Sequence, residues 1–114
     1  MSSTRKFDLR YINGDTAATM TSAGTTQGTA ATITAANVLV TTHTAGAGVI
    51  LDAHEPGFVY RVCNASANND LKVYPPSRAS FNGLTANDPQ TLSSGSAATF
   101  VSLTSTKYMA LAGA

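Results

Sequence analysis

Cysteine is nearly missing from this chain: Cys63 is the single one in 114 residues. No intrachain disulfide framework is open to it, and no metal site built on cysteines can be complete. Charge is scarce as well, at 11% of residues and a net +1. Binding to nucleic acid or to an anionic membrane surface rests on a basic stripe, and this sequence has none. No apolar run approaches the length of a bilayer-spanning helix. The charged residues within 1–10 are not followed by an apolar core, so no secretory signal is expected, and the chain is expected to be made and folded in a cytoplasm. A helical period is missing too.

What is present is alanine, threonine, serine and glycine, within a hydrophobic share of 43%. The length suits one domain. Small uncharged residues make flat surfaces that pack against other protein at little desolvation cost. A subunit of an assembly fits this composition better than an enzyme does, the plainer alternative being a low-charge monomer.

Residues 1–24 form a first zone. Arg5, Lys6 and Arg10 alternate with Phe7, Leu9 and Tyr11-Ile12 before the turn signal Asn13-Gly14-Asp15. Phe7, Leu9 and Tyr11 recur at period two, so 6–12 reads as a strand with one apolar side. Residues 15–29 hold almost nothing but small side chains and read as an extended or flexible segment, ordered by contact with something else. Two readings stay open for the arm residues Arg5, Lys6, Phe7, Leu9, Arg10 and Tyr11: a tether that reaches a neighbouring subunit, or a frayed terminus. The expected division is an arm and linker over 1–24 and a β-domain over 25–114.

From residue 30 the pattern is regular. Short β-branched and aromatic runs occupy 31–34, 38–42, 48–52, 58–63 and 71–74, followed by 90–92, 97–103 and 107–112. Turn chemistry separates them: Pro56-Gly57, the polar loop 65–70, Pro75-Pro76, Asn82-Gly83, Asn87-Asp88-Pro89 and 93–96. The densest part is 48–75, where three runs and their turns read as antiparallel sheet. About eight short strands at this spacing, with no internal repeat, predict an all-β fold: an antiparallel β-sandwich or jelly roll with an extended N-terminal arm.

Candidate chemistry is thin. His43, Asp52, His54 and Glu55 are the nearest thing to a metal cluster, yet His54-Glu55-Pro56-Gly57 also reads as an exposed corner. Cys63 lies within a β-run, where a small buried thiol is the common case, and no elbow or oxyanion loop accompanies it. Gly46-Ala47-Gly48 lacks the following helix that phosphate binding needs, so it reads as a turn. Asn64-Ala65-Ser66 satisfies the glycosylation sequon. Tyr60, Tyr74, Phe81 and Tyr108 are either a sugar-stacking platform or core packing. No catalytic residue, metal or cofactor is expected.

One succession carries a resemblance: Thr26-Gln27, Ile33-Thr34, Val40-Thr41-Thr42, Gly48-Val49-Ile50-Leu51, Pro56-Gly57, Val62-Cys63-Asn64, Leu71-Lys72-Val73-Tyr74-Pro75, Phe81-Asn82-Gly83, Leu92-Ser93-Ser94-Gly95 and Thr99-Phe100-Val101. It resembles a family of small tailed-bacteriophage structural proteins, similar to head decoration (cement) proteins, over roughly residues 25–114. Two departures stand out: Tyr108 where that family commonly has tryptophan, and Ser77-Arg78-Ala79-Ser80 in place of the glycine that usually precedes the Asn-Gly turn. The resemblance implies a bacteriophage capsid decoration protein on the exterior of the virion, made in the host bacterial cytoplasm. Its partner is then the major capsid protein, bridged across neighbouring subunits. A homo-oligomer, trimer or dimer, is expected, with no nucleic acid and no membrane. The alternative is a carbohydrate-binding, host-recognition module of a phage tail fibre or spike.

Overall fold

The computed structural model describes residues 18–33, 35–42, 46–53, 56–66 and 68–112. Their strands are β1 (Ala18–Thr21), β2 (Ala31–Thr32), β3 (Asn37–Thr42), β4 (Gly48–Ile50) and β5 (Val59–Asn64), then β6 (Leu71–Tyr74), β7 (Ser80–Phe81), β8 (Gln90–Leu92), β9 (Ala97–Ser102) and β10 (Lys107–Ala112). The sole helical element described is one 3-10 turn, Gln27–Thr29. The protein is all-β, as the short β-branched runs predict.

Two mixed sheets are built from these strands. A six-stranded sheet has the order β1-β3-β5-β9-β10-β7, and a four-stranded sheet has the order β2-β4-β6-β8. Successive strands alternate between the sheets as far as β9, and only β9 and β10 form a hairpin within one sheet. The winding is solenoid-like. Val38 pairs with Ala18 and Val62 with Val38 in one sheet; Val49 pairs with Ala31 and Val73 with Val49 in the other. The chain thus returns beside itself after roughly twenty residues, a coil length typical of repeat architectures.

This differs from the antiparallel arrangement expected of the sequence. The pairs β1–β3, β3–β5, β2–β4, β4–β6 and β7–β10 are parallel; β5–β9, β9–β10 and β6–β8 are antiparallel. The reason lies in the connections. Parallel neighbours need a long crossover, and here a strand of the opposite sheet supplies it. Within 48–75, the middle run β5 crosses to the six-stranded sheet and leaves β4 and β6 as parallel neighbours.

Both sheets send alternate side chains into one core. The six-stranded sheet contributes Val38, Val40, Tyr60, Val62, Phe100 and Tyr108; the four-stranded sheet contributes Val49, Leu71, Val73 and Leu92. Phe81 stacks on Phe100 with ring centroids 5.1 Å apart and meets Tyr108 edge-on at 6.4 Å. Tyr60 lies 6.2 Å from Tyr108, so one aromatic group ties β5, β7, β9 and β10 together. Such ring pairs contribute on the order of 1 kcal/mol each beyond their burial.

The small-residue segment before β2 is anchored by other parts of the chain. β1 adds to the edge of the six-stranded sheet beside β3, inside the stretch expected to be an extended linker. Ala23 and Gly48 exchange two backbone hydrogen bonds, of 3.0 and 3.2 Å. The Tyr74 hydroxyl donates to the Thr25 carbonyl at 3.2 Å, and the Gln27 amide donates to the Pro75 carbonyl at 2.8 Å. Gly48 is what lets these meet: a Cβ there would lie 2.6 Å from the Lys72 carbonyl oxygen and 2.9 Å from the Tyr74 ring.

Turns fall where their chemistry predicts. Phe81-Asn82-Gly83-Leu84 closes through Leu84 N–H to the Phe81 carbonyl at 3.1 Å, with Gly83 at φ +80. Asn82 then accepts the Ala110 N–H at 2.7 Å. Asn64 is fully buried at the end of β5; its amide donates to the Asn69 and Leu92 carbonyls at 2.8 and 3.0 Å, and its oxygen accepts the Ser66 N–H at 3.0 Å. It is a saturated polar pin.

Two buried tyrosines test this packing in opposite senses. The Tyr60 hydroxyl donates to the Asp52 carbonyl at 2.8 Å, whereas the buried Tyr108 hydroxyl has no hydrogen-bond partner among the described residues. Tyr60→Phe is expected to destabilise the fold by about 1 kcal/mol, and Tyr108→Phe to leave it unchanged or raise it by up to about 1 kcal/mol. Urea denaturation of the two variants measures both.

Candidate interaction surface

Strand alternation fixes which side chains leave the core. On β5, Tyr60, Val62 and Asn64 point inward and are buried, so Val59, Arg61 and Cys63 point outward. On β9 the inward set is Ala98, Phe100 and Ser102, leaving Ala97, Thr99 and Val101 outside. The pairings assemble the outward residues into three rows across the six-stranded sheet: Val59–Val101–Met109, Asn37–Arg61–Thr99–Leu111 and Leu39–Cys63–Ala97. Leu111 is 53% exposed, and Leu103, one residue past β9, is 51% exposed.

This outer face is mostly apolar. Among the described residues its only central charge is Arg61, whose guanidinium donates to the Asn37 side-chain oxygen at 3.3 Å. Lys107 lies at the margin, 3.5 Å from the Ser80 hydroxyl. Two shallow depressions flank Arg61. One, of about 230 Å³, is lined by Asn37, Leu39, Arg61, Cys63 and Ala97 among others. The second, of about 260 Å³, is lined by Arg61, Ala97, Ala98, Thr99 and Leu111. Exposed apolar patches are a common feature of contact surfaces.

The four-stranded sheet is different on its outside. Residues 23–27 lie along it through the Ala23, Thr25 and Gln27 contacts described above. Beyond them, a polar depression of about 400 Å³ is lined by Gly46, Asn68, Asn69, Asp70, Lys72 and Thr91.

The sequence candidates fare unevenly. Arg5, Lys6, Phe7, Leu9, Arg10 and Tyr11 lie outside the described residues, as do His43, His54 and Glu55. Asp52 is described, exposed and beyond β4, and among the described residues no three of His, Cys, Asp and Glu come together. Cys63 is half-buried on the outer face of the sheet, not the enclosed thiol that a mid-strand cysteine suggests. Its neighbour Asn64 takes the inward place, and with its amide fully used it is closed to glycosylation. Tyr60, Tyr74, Phe81 and Tyr108 are all buried, so they are core and not a stacking platform.

Sequence reasoning passed over the apolar outer face itself. The signal was present: Val101 and Leu103 oppose Ala98 and Phe100 on one strand, and β10 reads Tyr-Met-Ala-Leu with hardly a polar position. Strands covered on both faces read as near-continuous apolar runs, and β9 and β10 approach that pattern.

No protein-family model matches the chain, and neither a curated protein nor a solved structure matches it.

The two faces of the sheet separate by mutation. Leu111→Lys, on the outer face, is expected to change the stability of the fold by no more than about 0.5 kcal/mol while reducing binding of a hydrophobic dye. Phe100→Ala, on the inner face, is expected to destabilise by roughly 3–5 kcal/mol. Denaturant titration and dye fluorescence on both variants check this.

Proposed function

We propose that the chain is a capsid decoration (cement) protein of a tailed bacteriophage, bound to the outside of the head and bridging neighbouring major-capsid subunits. The observation that carries this reading is the broad, nearly uncharged outer face of the six-stranded sheet, with Leu39, Cys63, Val101, Met109 and Leu111 on it and Arg61 as its one central charge. A flat apolar face of this type suits docking on protein, and the resemblance of the sequence motifs to those of small phage structural proteins supports the choice of partner. On this reading the two sheets over one core are a relative of the jelly roll, wound as successive coils.

The mechanism is linkage. A ligand that binds the assembled lattice across a joint, and not its separated parts, stabilises the assembly by the free energy of that binding. Repetition over a symmetric shell multiplies a modest contact. Self-association into a dimer or trimer places several such faces at one lattice position. The reading includes no catalytic step, cofactor, nucleic acid or membrane.

A second reading, a carbohydrate-binding module of a tail fibre or spike, has one feature in its favour: the polar depression at Asn68, Asn69, Asp70 and Lys72. Tyr60, Tyr74 and Tyr108 are buried, so these three rings offer no platform on which a sugar could stack. The cement reading is therefore preferred. A glycan array separates the two, since the preferred reading expects no sugar signal.

Heads assembled without this chain are expected to open at lower temperature than decorated heads, and adding the purified protein back is expected to restore the difference. Equal heat resistance with and without it contradicts a cement role.

A further inference from the structure

We propose that the outer face of the six-stranded sheet receives a protein segment that presents one carboxylate between aliphatic side chains. Arg61 takes the carboxylate, and the depressions on its two sides take the aliphatic groups. The occupant is a different protein, not a second copy of this chain. Nothing in this chemistry depends on that protein being a capsid subunit.

Charge decides the matter first. Arg61 is exposed on β5, and among the described residues the one side-chain partner of its guanidinium is the neutral Asn37 oxygen at 3.3 Å. A guanidinium carries five N–H donors in a planar fork, so that bond orients the group and leaves most of the fork open. The three outward rows that surround it contain no aspartate or glutamate.

Covering the face takes Arg61 out of water. A partner that is apolar throughout would leave a desolvated cation unpaired, which opposes binding. A carboxylate opposite the fork restores charge-assisted, bidentate hydrogen bonds and adds specificity as well as attraction. Self-docking fails the same requirement. An isologous contact offers each copy only what the other has, and two such faces together enclose two Arg61 side chains with no acid on either.

Shape agrees with charge. One depression, of about 230 Å³, has Leu39 and Cys63 in its wall; the other, of about 260 Å³, has Thr99 and Leu111. An apolar cavity of about 150 Å³ accepts a benzene ring, so each has room for one aliphatic side chain. Arg61 and Ala97 line both, which puts the carboxylate position between the two apolar ones.

The test selects a random peptide library, made by mRNA display, on the immobilised full-length protein. The expected result is an enriched family with one Asp or Glu flanked on both sides by Leu, Ile, Val or Met. Changing that acid to its amide, or Arg61→Met in the protein, is expected to weaken binding by about tenfold or more. The two losses are expected not to add when combined, because each removes the same contact. Arg61→Lys keeps the charge without the fork and is expected to fall between. An unchanged denaturation midpoint confirms that the Arg61 variants are folded, and the amide-substituted peptide leaves the protein untouched. No enriched family, a family without an acid, or one bound equally well by Arg61→Met overturns the proposal. Self-association of the wild-type protein that Leu111→Lys abolishes also overturns it, since a second copy then covers the face. No capsid enters the experiment, so its outcome is separate from that of the heat-resistance test of the cement reading.

Discussion

The contact on which this structure depends is the meeting of two inward faces that belong to one winding thread. Val38, Val62 and Ala98 line up across the six-stranded sheet against Val49, Val73 and Leu71 of the other. Tyr60, Phe81, Phe100 and Tyr108 fill the remaining inner surface of the six-stranded sheet. Each fully buried side chain of this size contributes roughly 1.5–3 kcal/mol, and few charged groups are present to stabilise the fold by other means. Because the chain alternates between sheets, each pass adds one strand to both faces of the core. The edges and outer faces are then what remains for function.

The strands were legible in the sequence because their signal is local. Period-two apolar positions and punctuation by Pro-Gly, Asn-Gly and Ser-Ser-Gly place β3 to β6 and β8 to β10 within a residue or two of where they lie. Which strand pairs with which was not legible. A corner such as Pro56-Gly57 ends a strand equally well whether the chain turns back or crosses to the opposite sheet, and hydrophobic period carries no record of the difference. β1 escaped for another reason: Ala18–Thr21 has no large side chain, and its order comes from the neighbouring β3 backbone. The segment after it is held by Tyr74 and Gln27 reaching the backbone across a separation of nearly fifty residues.

The candidate surface was legible only in outline. Scarce charge and abundant small residues pointed to a protein that packs on protein, and the proposed reading assigns that role to the outer face of the six-stranded sheet. The residues that form it come from β3, β5, β9 and β10, and only the sheet order brings Leu39, Cys63, Ala97 and Leu111 near one another. Cys63 illustrates the point, since one step of register decides whether it or Asn64 enters the core. The sequence could name both residues without saying which way either faces.

On the proposed reading, the chain binds through the outer face of the six-stranded sheet. Site-specific photo-crosslinking in assembled particles tests this most directly, with the crosslinker placed in turn at Thr99, on the outer face of the six-stranded sheet, and at Thr91, on the outside of the four-stranded sheet. Adducts to the head protein from position 99 and none from position 91 are predicted. Adducts from position 91 alone contradict the account.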